Sequence, residues 1–214
     1  MNDKKKIITI SREFGSGGRL IGRRLAEKMD VPYYDKELLD RIAEESGFCK
    51  EMMEDAEKKA KNSFLYSLIS AMGTAEAGPE SLSLNERFFL AQFDTIRKIA
   101  DEGSCVIVGR CADYILRQYP RCYNVFIHAP LEDRIERIIS RSQGMTRKEA
   151  IELAEKKNKL RASYYNFYTD KGWGVASSYD LSIDSSILGS EETAIFIRDF
   201  IQKKDGLPKW EKKK

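Results

Sequence analysis

Ile7-Ile8-Thr9-Ile10 runs straight into Ser11-Arg12-Glu13-Phe14-Gly15-Ser16-Gly17-Gly18-Arg19, and then into helix-forming sequence from Leu20 to Met29. The order is strand, glycine-rich turn, helix, which is the architecture of a phosphate-binding loop. Glycines let the backbone turn tightly round the anion, and free N–H groups at the positive end of the helix dipole face it. The stretch departs from the usual G-x-x-x-x-G-K-[ST] pattern, because no Lys follows the glycines and no Ser or Thr follows the basic residue. Arg19 is the one basic side chain placed to substitute. A turn of this composition can also be purely structural.

Working outward, short apolar runs recur at Val31-Pro32-Tyr33-Tyr34, Cys105-Val106-Ile107-Val108, Tyr123-Asn124-Val125-Phe126-Ile127 and Tyr179-Asp180-Leu181-Ser182-Ile183, with helical sequence between them. Continuous apolar strands alternating with helices predict a parallel sheet covered on both faces, with ligands at the carboxyl ends of the strands. Asp35 reads as the N-cap of a helix through Ser46 that stops at Gly47. Ser83 with Glu86 and Thr146 with Glu149 have capping-box spacing. Ser190 reads as the cap of the last helix, with Ile195, Phe196 and Phe200 as its apolar face.

Two stretches are too long to be simple connections. Residues 46–100 read as a helical insertion, and residues 141–174 as a second one rich in Lys and Arg. Arg147 and Lys148 fit a solvated helix face. Lys157 and Arg161, spaced i, i+4 ahead of Tyr164, Tyr165, Phe167 and Tyr168, are placed to reach over a bound polyanion.

The 214 residues suit one domain, and a net charge of +3 gives little support for a nucleic-acid partner. There is no apolar stretch near 18 residues and no signal-peptide pattern, so the expectation is a cytoplasmic protein without a membrane segment. Cys49, Cys105, Cys111 and Cys122 lack zinc-site spacing and read as reduced thiols. With His128 as the sole histidine, a histidine-based metal centre or triad is not expected.

Together the loop from Ser11 to Arg19, Val31-Pro32-Tyr33-Tyr34-Asp35, Val108-Gly109-Arg110, Val125-Phe126-Ile127-His128-Ala129-Pro130 and the stretch ending in Arg161 resemble the cytidylate kinase-like group of the P-loop nucleoside monophosphate kinases. The resemblance runs from Ile7 to about Ile201. It implies a three-layer α/β/α fold with a five-stranded parallel sheet, the core being 1–45, 101–140 and 175–205. The helical monophosphate-binding insertion would be about 46–100 and the lid about 141–174. It also implies transfer of the γ-phosphoryl group of ATP, with magnesium, to a nucleotide substrate, most favourably CMP or dCMP.

Carried over by position, Gly15, Ser16, Gly17, Gly18 and Arg19 would hold the donor phosphates. Asp35 and Arg41 would lie at the acceptor site, Arg41 as a bidentate fork for the acceptor phosphate. Arg110 matches an acceptor-site arginine. Asp113 would orient Arg110, accept a hydrogen bond from the base, or serve simply as a helix N-terminal carboxylate. Arg137 and Arg141 are the candidates for lid-side phosphate contacts from the helix that also carries Arg134. Arg161 matches the lid arginine that stabilises charge on the transferring group, so Arg19, Arg137 and Arg161 form the catalytic set.

The same match places Gly18 where ordinary members carry Lys, Leu20 where they carry Thr, Asn158 for a lid aspartate and Cys111 for a strand-end aspartate. Either Arg19 replaces the lysine through a one-residue shift, or the loop has lost a catalytic charge. Ser11 and Ser16 are the available hydroxyls near magnesium, whose ligands stay unassigned. The alternatives are a nucleotide-binding sensor or regulatory protein with a degenerate loop, and a kinase of another small phosphorylated acceptor. An exposed apolar face on the helical insertion would allow a homodimer.

Overall fold

The computed structural model describes residues 5–35, 37–46 and 84–206. In chain order the elements are β1 (Ile7–Arg12), α1 (Gly18–Met29), β2 (Tyr33–Tyr34), α2 (Glu37–Ser46), α3 (Leu84–Glu102), β3 (Cys105–Val108), α4 (Ala112–Ile115), β4 (Cys122–His128), α5 (Leu131–Ile139), α6 (Arg147–Tyr168), β5 (Leu181–Asp184) and α7 (Ser185–Gly206). The five strands are parallel in the order β2-β3-β1-β4-β5. In register, Ile10 lies between Val108 and Val125. β1 is central, and the chain leaves it for one side of the sheet and later crosses to the other, so the crevice at its carboxyl end is where a ligand sits in such folds.

Successive residues face opposite layers, and both layers are apolar. Ile7, Cys105 and Ile107 pack with Leu38 and Ile42 of α2 and Phe88, Ile96 and Ile99 of α3. Ile8, Ile10, Val106 and Val108 pack with Ile21 and Leu25 of α1 and Ala194, Ile197 and Ile201 of α7. Burial of both faces accounts for the unbroken apolar runs, and each fully buried Ile contributes about 2 kcal/mol.

A third, smaller cluster joins Ile135 and Ile138 of α5 to Ala150 and Ala154 of α6, with Phe14 from the loop packed against it. The small side chains at 150 and 154 let the two helices approach closely. Continued along α6, the same face carries Asn158 and then Arg161 towards the loop. Thr146 and Glu149 form the expected capping box at the start of α6.

Several local expectations change. β2 is only Tyr33–Tyr34, and the Pro32 carbonyl accepts from Val106 N–H at 2.9 Å instead. β5 begins at Leu181, and just before it the Tyr179 ring packs on Phe126, 5.0 Å between centroids. The Asp35 carboxylate lies 3.5 Å from Arg12 Nη2 and 2.7 Å from Arg19 Nε. The last helix starts at Ser185 and breaks at Gly189 (φ 69°), so Ser190 opens only its second segment, where its hydroxyl accepts from Arg24. The buried stripe there is Ala194, Ile197 and Ile201, and Phe196 is exposed. Ser83 and most of the expected insertion from 46 to 100 lie outside the described residues, as does Cys49. Cys105, Cys111 and Cys122 are free thiols, and burial pushes Cys105 and Cys122 up to about 12, which makes them inert. Among the described residues no helix is long and apolar enough to cross a membrane.

Candidate active site

The turn from Glu13 to Gly17 is held from every side. Glu13 N–H donates to the Ile127 carbonyl at 3.0 Å, and Phe14 N–H to Asn158 Oδ1 at 2.7 Å. Arg137 Nη1 donates to the Gly15 carbonyl at 2.6 Å, and Ser185 Oγ to the Ser16 carbonyl at 2.6 Å. Glu13 is fixed in turn by Arg134 Nε at 3.3 Å and by Ala129 N–H at 3.3 Å. Gly15 (φ 86°) and Gly17 (φ 81°) take left-handed conformations that side chains disfavour. No side chain caps the amino end of α1, so the donors of its first turn are left for a ligand.

Around this loop the charge is overwhelmingly positive. Arg12, the last residue of β1, has a side chain only 13% exposed, and its Nη2 lies 3.5 Å from Asp35 Oδ1. Arg19 Nε lies 2.7 Å from Asp35 Oδ2. Arg161 reaches in from α6, donating to the Arg12 carbonyl at 2.9 Å and lying over the Phe14 ring, 5.6 Å from its centroid. Burial lowers Arg161 to about 9 and Arg12 to about 10, and in both cases neighbouring arginines add to the fall. Arg110 is lowered by the same causes, burial first. Guanidinium groups keep their proton in proteins, so these shifts reflect the cost of burying like charges side by side. Among the described residues the Arg12 Nε atom is buried without a hydrogen-bond partner.

A strained segment shapes the next wall. Gly109, Arg110 and Cys111 are three consecutive left-handed residues (φ 80°, 62° and 53°) at the end of β3, where a non-glycine residue costs about 1–2 kcal/mol. Gln92 of α3 braces the turn by donating to the Arg110 carbonyl at 3.2 Å and to Tyr164 Oη at 3.1 Å, and its own carbonyl oxygen is buried without a partner among the described residues. Tyr168 stacks on Phe89 at 4.0 Å, closing α6 against α3.

Of the residues expected from sequence, Gly15, Ser16, Gly17, Gly18, Arg19, Asp35, Arg110, Arg137 and Arg161 come together at the carboxyl edge of the sheet. Arg41 does not. Its guanidinium pairs at two points with Glu102, one separation being 2.8 Å, near the amino end of β3 and opposite the loop. Asp113 does not meet Arg110 either: it is buried, accepts from Tyr165 Oη at 2.5 Å and lies 3.8 Å from Lys171 Nζ. Arg141 and Lys157 are exposed. The sequence reading passed over Arg12, Glu13 and Gln92. Arg12 carried a usable signal, since a basic residue closing the central strand stands at the ligand edge of a parallel sheet.

The phosphates of a nucleotide fit this cradle, as the unpartnered Arg12 Nε and uncapped α1 indicate. A protein-built metal site does not: among the described residues no group of three or more His, Cys, Asp or Glu side chains converges. The Ser16 hydroxyl donates to the Glu13 carbonyl at 3.0 Å. Magnesium would therefore be carried chiefly by substrate phosphates, its usual mode in kinases.

A family model described as the cytidylate kinase-like family matches residues 7–187. A cytidylate kinase from Methanosarcina barkeri is 27% identical over 187 residues, 83% of this chain and 86% of the relative. The crystal structure of an uncharacterized protein from Eubacterium ventriosum is similar at TM-score 0.69 and 30% identity, covering 92% of this chain and 99% of that one. Shikimate kinase from Acinetobacter baumannii, solved with shikimate, shares the fold at TM-score 0.52 and 13% identity, covering 94% of this chain and 96% of its own.

Proposed function

The chain belongs to the cytidylate kinase-like family, and from that premise we propose that it transfers the γ-phosphoryl group of ATP to a nucleoside monophosphate, CMP or dCMP before others. The observation that carries this reading is the set of arginines, Arg12, Arg19, Arg110 and Arg161, crowded at the mouth of the glycine loop with Asp35 between them. Like charges so placed repel one another, and a polyanion relieves the cost. The naming of the Methanosarcina relative supports cytidylate as acceptor.

In the reaction an acceptor phosphate oxygen bonds to the γ-phosphorus. The bond from that phosphorus to the β,γ-bridging oxygen breaks, and its electron pair leaves on ADP. Catalysis of such transfer rests on positioning and charge stabilisation. Bound magnesium supplies charge neutralisation at the β- and γ-phosphates. The chain's own part is to cradle the donor with α1 and the loop, to hold Arg161 against the end of β1, and to set Arg110 and Asp35 on the acceptor side.

A binding-only sensor is favoured by one feature, the loop without lysine. A coupled ADP-release assay with ATP and magnesium against CMP, dCMP, UMP and AMP tests the proposal. Turnover with CMP or dCMP is the expected result. ATP binding without turnover on any acceptor would favour the sensor.

A further inference from the structure

The absence of lysine from the loop has a structural counterpart. A Cβ atom built on Gly18 would lie 2.7 Å from Arg12 Cβ and 3.0 Å from Arg12 Cγ, closer than real side chains approach. A Cβ atom on Gly109 would collide with Arg12 Nη1. The Arg12 side chain thus fills the space into which a side chain at position 18 would start, passes over the end of β3 at Gly109, and stops at Asp35 beyond β2. Gly18 is the first residue of α1. In the ordinary loop that position is the lysine that reaches the β- and γ-phosphates. Here its volume belongs to an arginine arriving from the opposite side, the last residue of β1.

Arg12 is also braced as a working cation has to be. Its carbonyl is gripped by Arg161, its Nη2 faces Asp35, and its Nε is buried with no partner among the described residues. Arg19, the alternative from sequence, is a weaker candidate: its side chain is 53% exposed, against 13% for Arg12.

We propose that Arg12 replaces the loop lysine, so that the cation facing the donor phosphates has moved from the first residue of the helix to the last residue of the strand, and Gly18 is bare to admit it. The inference rests on the kinase reading and deepens it. Arg12 keeps its proton throughout. It stabilises negative charge on the β,γ-bridging oxygen as the electron pair arrives there and the new bond from the acceptor oxygen forms.

Reciprocal exchange tests this. Arg12→Gly, Gly18→Lys and the double variant Arg12→Gly/Gly18→Lys, which restores the G-x-x-x-x-G-K pattern, are compared with wild type. The readouts are affinity for a fluorescent ATP analogue, affinity for CMP and ADP release. Arg12→Gly is expected to lose about 10²-fold or more in turnover and to weaken triphosphate binding, with CMP affinity changed by no more than about 3-fold. Gly18→Lys alone is expected to fail by collision. The double variant should recover at least about 10-fold over either single change.

Triphosphate affinity and turnover within about 2-fold of wild type in Arg12→Gly overturn the proposal, as does a double variant no better than the worse single. If Arg12→Gly does not fold, the neutral variant Arg12→Gln decides: weakened triphosphate binding at an unchanged melting temperature supports the proposal, and unchanged binding overturns it. Wild-type protein that binds no ATP overturns the kinase reading, and this inference with it. Wild-type turnover with indifferent Arg12 variants overturns the inference alone.

Discussion

Arg161 Nη1 donates to the main-chain carbonyl of Arg12 across 2.9 Å, tying the middle of α6 to the end of β1. The contact links the arm expected to act as a lid to the strand that opens the phosphate loop. Arg161→Ala should lower turnover by about 10³-fold, the effect of losing a positioned arginine in phosphoryl transfer. Steady-state kinetics will show the loss chiefly in kcat. A purely structural Arg161 would instead lower the melting temperature and leave kcat near wild type.

The same crowding predicts a response to anions. Arg12, Arg110 and Arg161 are buried near one another at a cost that an anion relieves. At constant ionic strength, inorganic triphosphate at 100-fold over its Kd should raise the melting temperature by about 5–10 °C, and chloride should not. In Arg161→Ala the shift should shrink. Equal shifts with chloride would mean that the cluster does not recognise polyanions.

Asp35 is the carboxylate that both Arg12 and Arg19 reach, and its side chain is 12% exposed. Asp35→Asn leaves Arg12 buried without a formal counter-charge, so the free protein should lose about 2 kcal/mol in urea unfolding. Saturating ATP should shrink that deficit, because the nucleotide supplies the missing negative charge. A deficit that stays the same with ATP bound would show that the nucleotide's charge does not reach Arg12.

Burial raises the pKa of Asp113 above its ordinary value, against the opposing pull of the Tyr165 hydrogen bond and Lys171. An acid that holds its proton longer folded than unfolded lends stability at low pH. That stability drains away as pH rises from the ordinary Asp value through the raised one. Asp113→Asn stays neutral and keeps an acceptor for Tyr165. Its stability relative to wild type should therefore climb from pH 4 upward, by at most about 1.4 kcal/mol per pH unit. A relative stability flat with pH would contradict the raised value.

The layered fold was legible because burial on both sides of the sheet writes itself as runs such as Cys105-Val106-Ile107-Val108, a pattern local in the chain. The glycine loop was legible for the same reason. Arg41 was not, because its helix was readable but the end of the sheet to which its side chain turns depends on Glu102, 61 residues away. Arg12 was hidden differently: read along the chain it precedes the glycines and is no part of the motif. Only the approach of its side chain to Gly18 and Gly109 gives those two glycines a shared meaning.

Gly109 supplies the last test. Its φ of 80° already disfavours a side chain, and a Cβ there would strike Arg12 Nη1. Gly109→Ala should cost about 1–2 kcal/mol of stability from the backbone alone. The larger effect should fall on activity, because Arg12 must swing off its path, and displacement of a charge by about 1 Å can cost about 10²-fold in rate. Gly103 is the control, since among the described residues nothing lies within 4 Å of a Cβ built there and its φ is not in the left-handed range. Gly103→Ala should leave turnover unchanged. Loss of turnover in Gly109→Ala with wild-type kinetics in Gly103→Ala is the expected pair. Full activity in Gly109→Ala would show that the guanidinium does not need the route past β3.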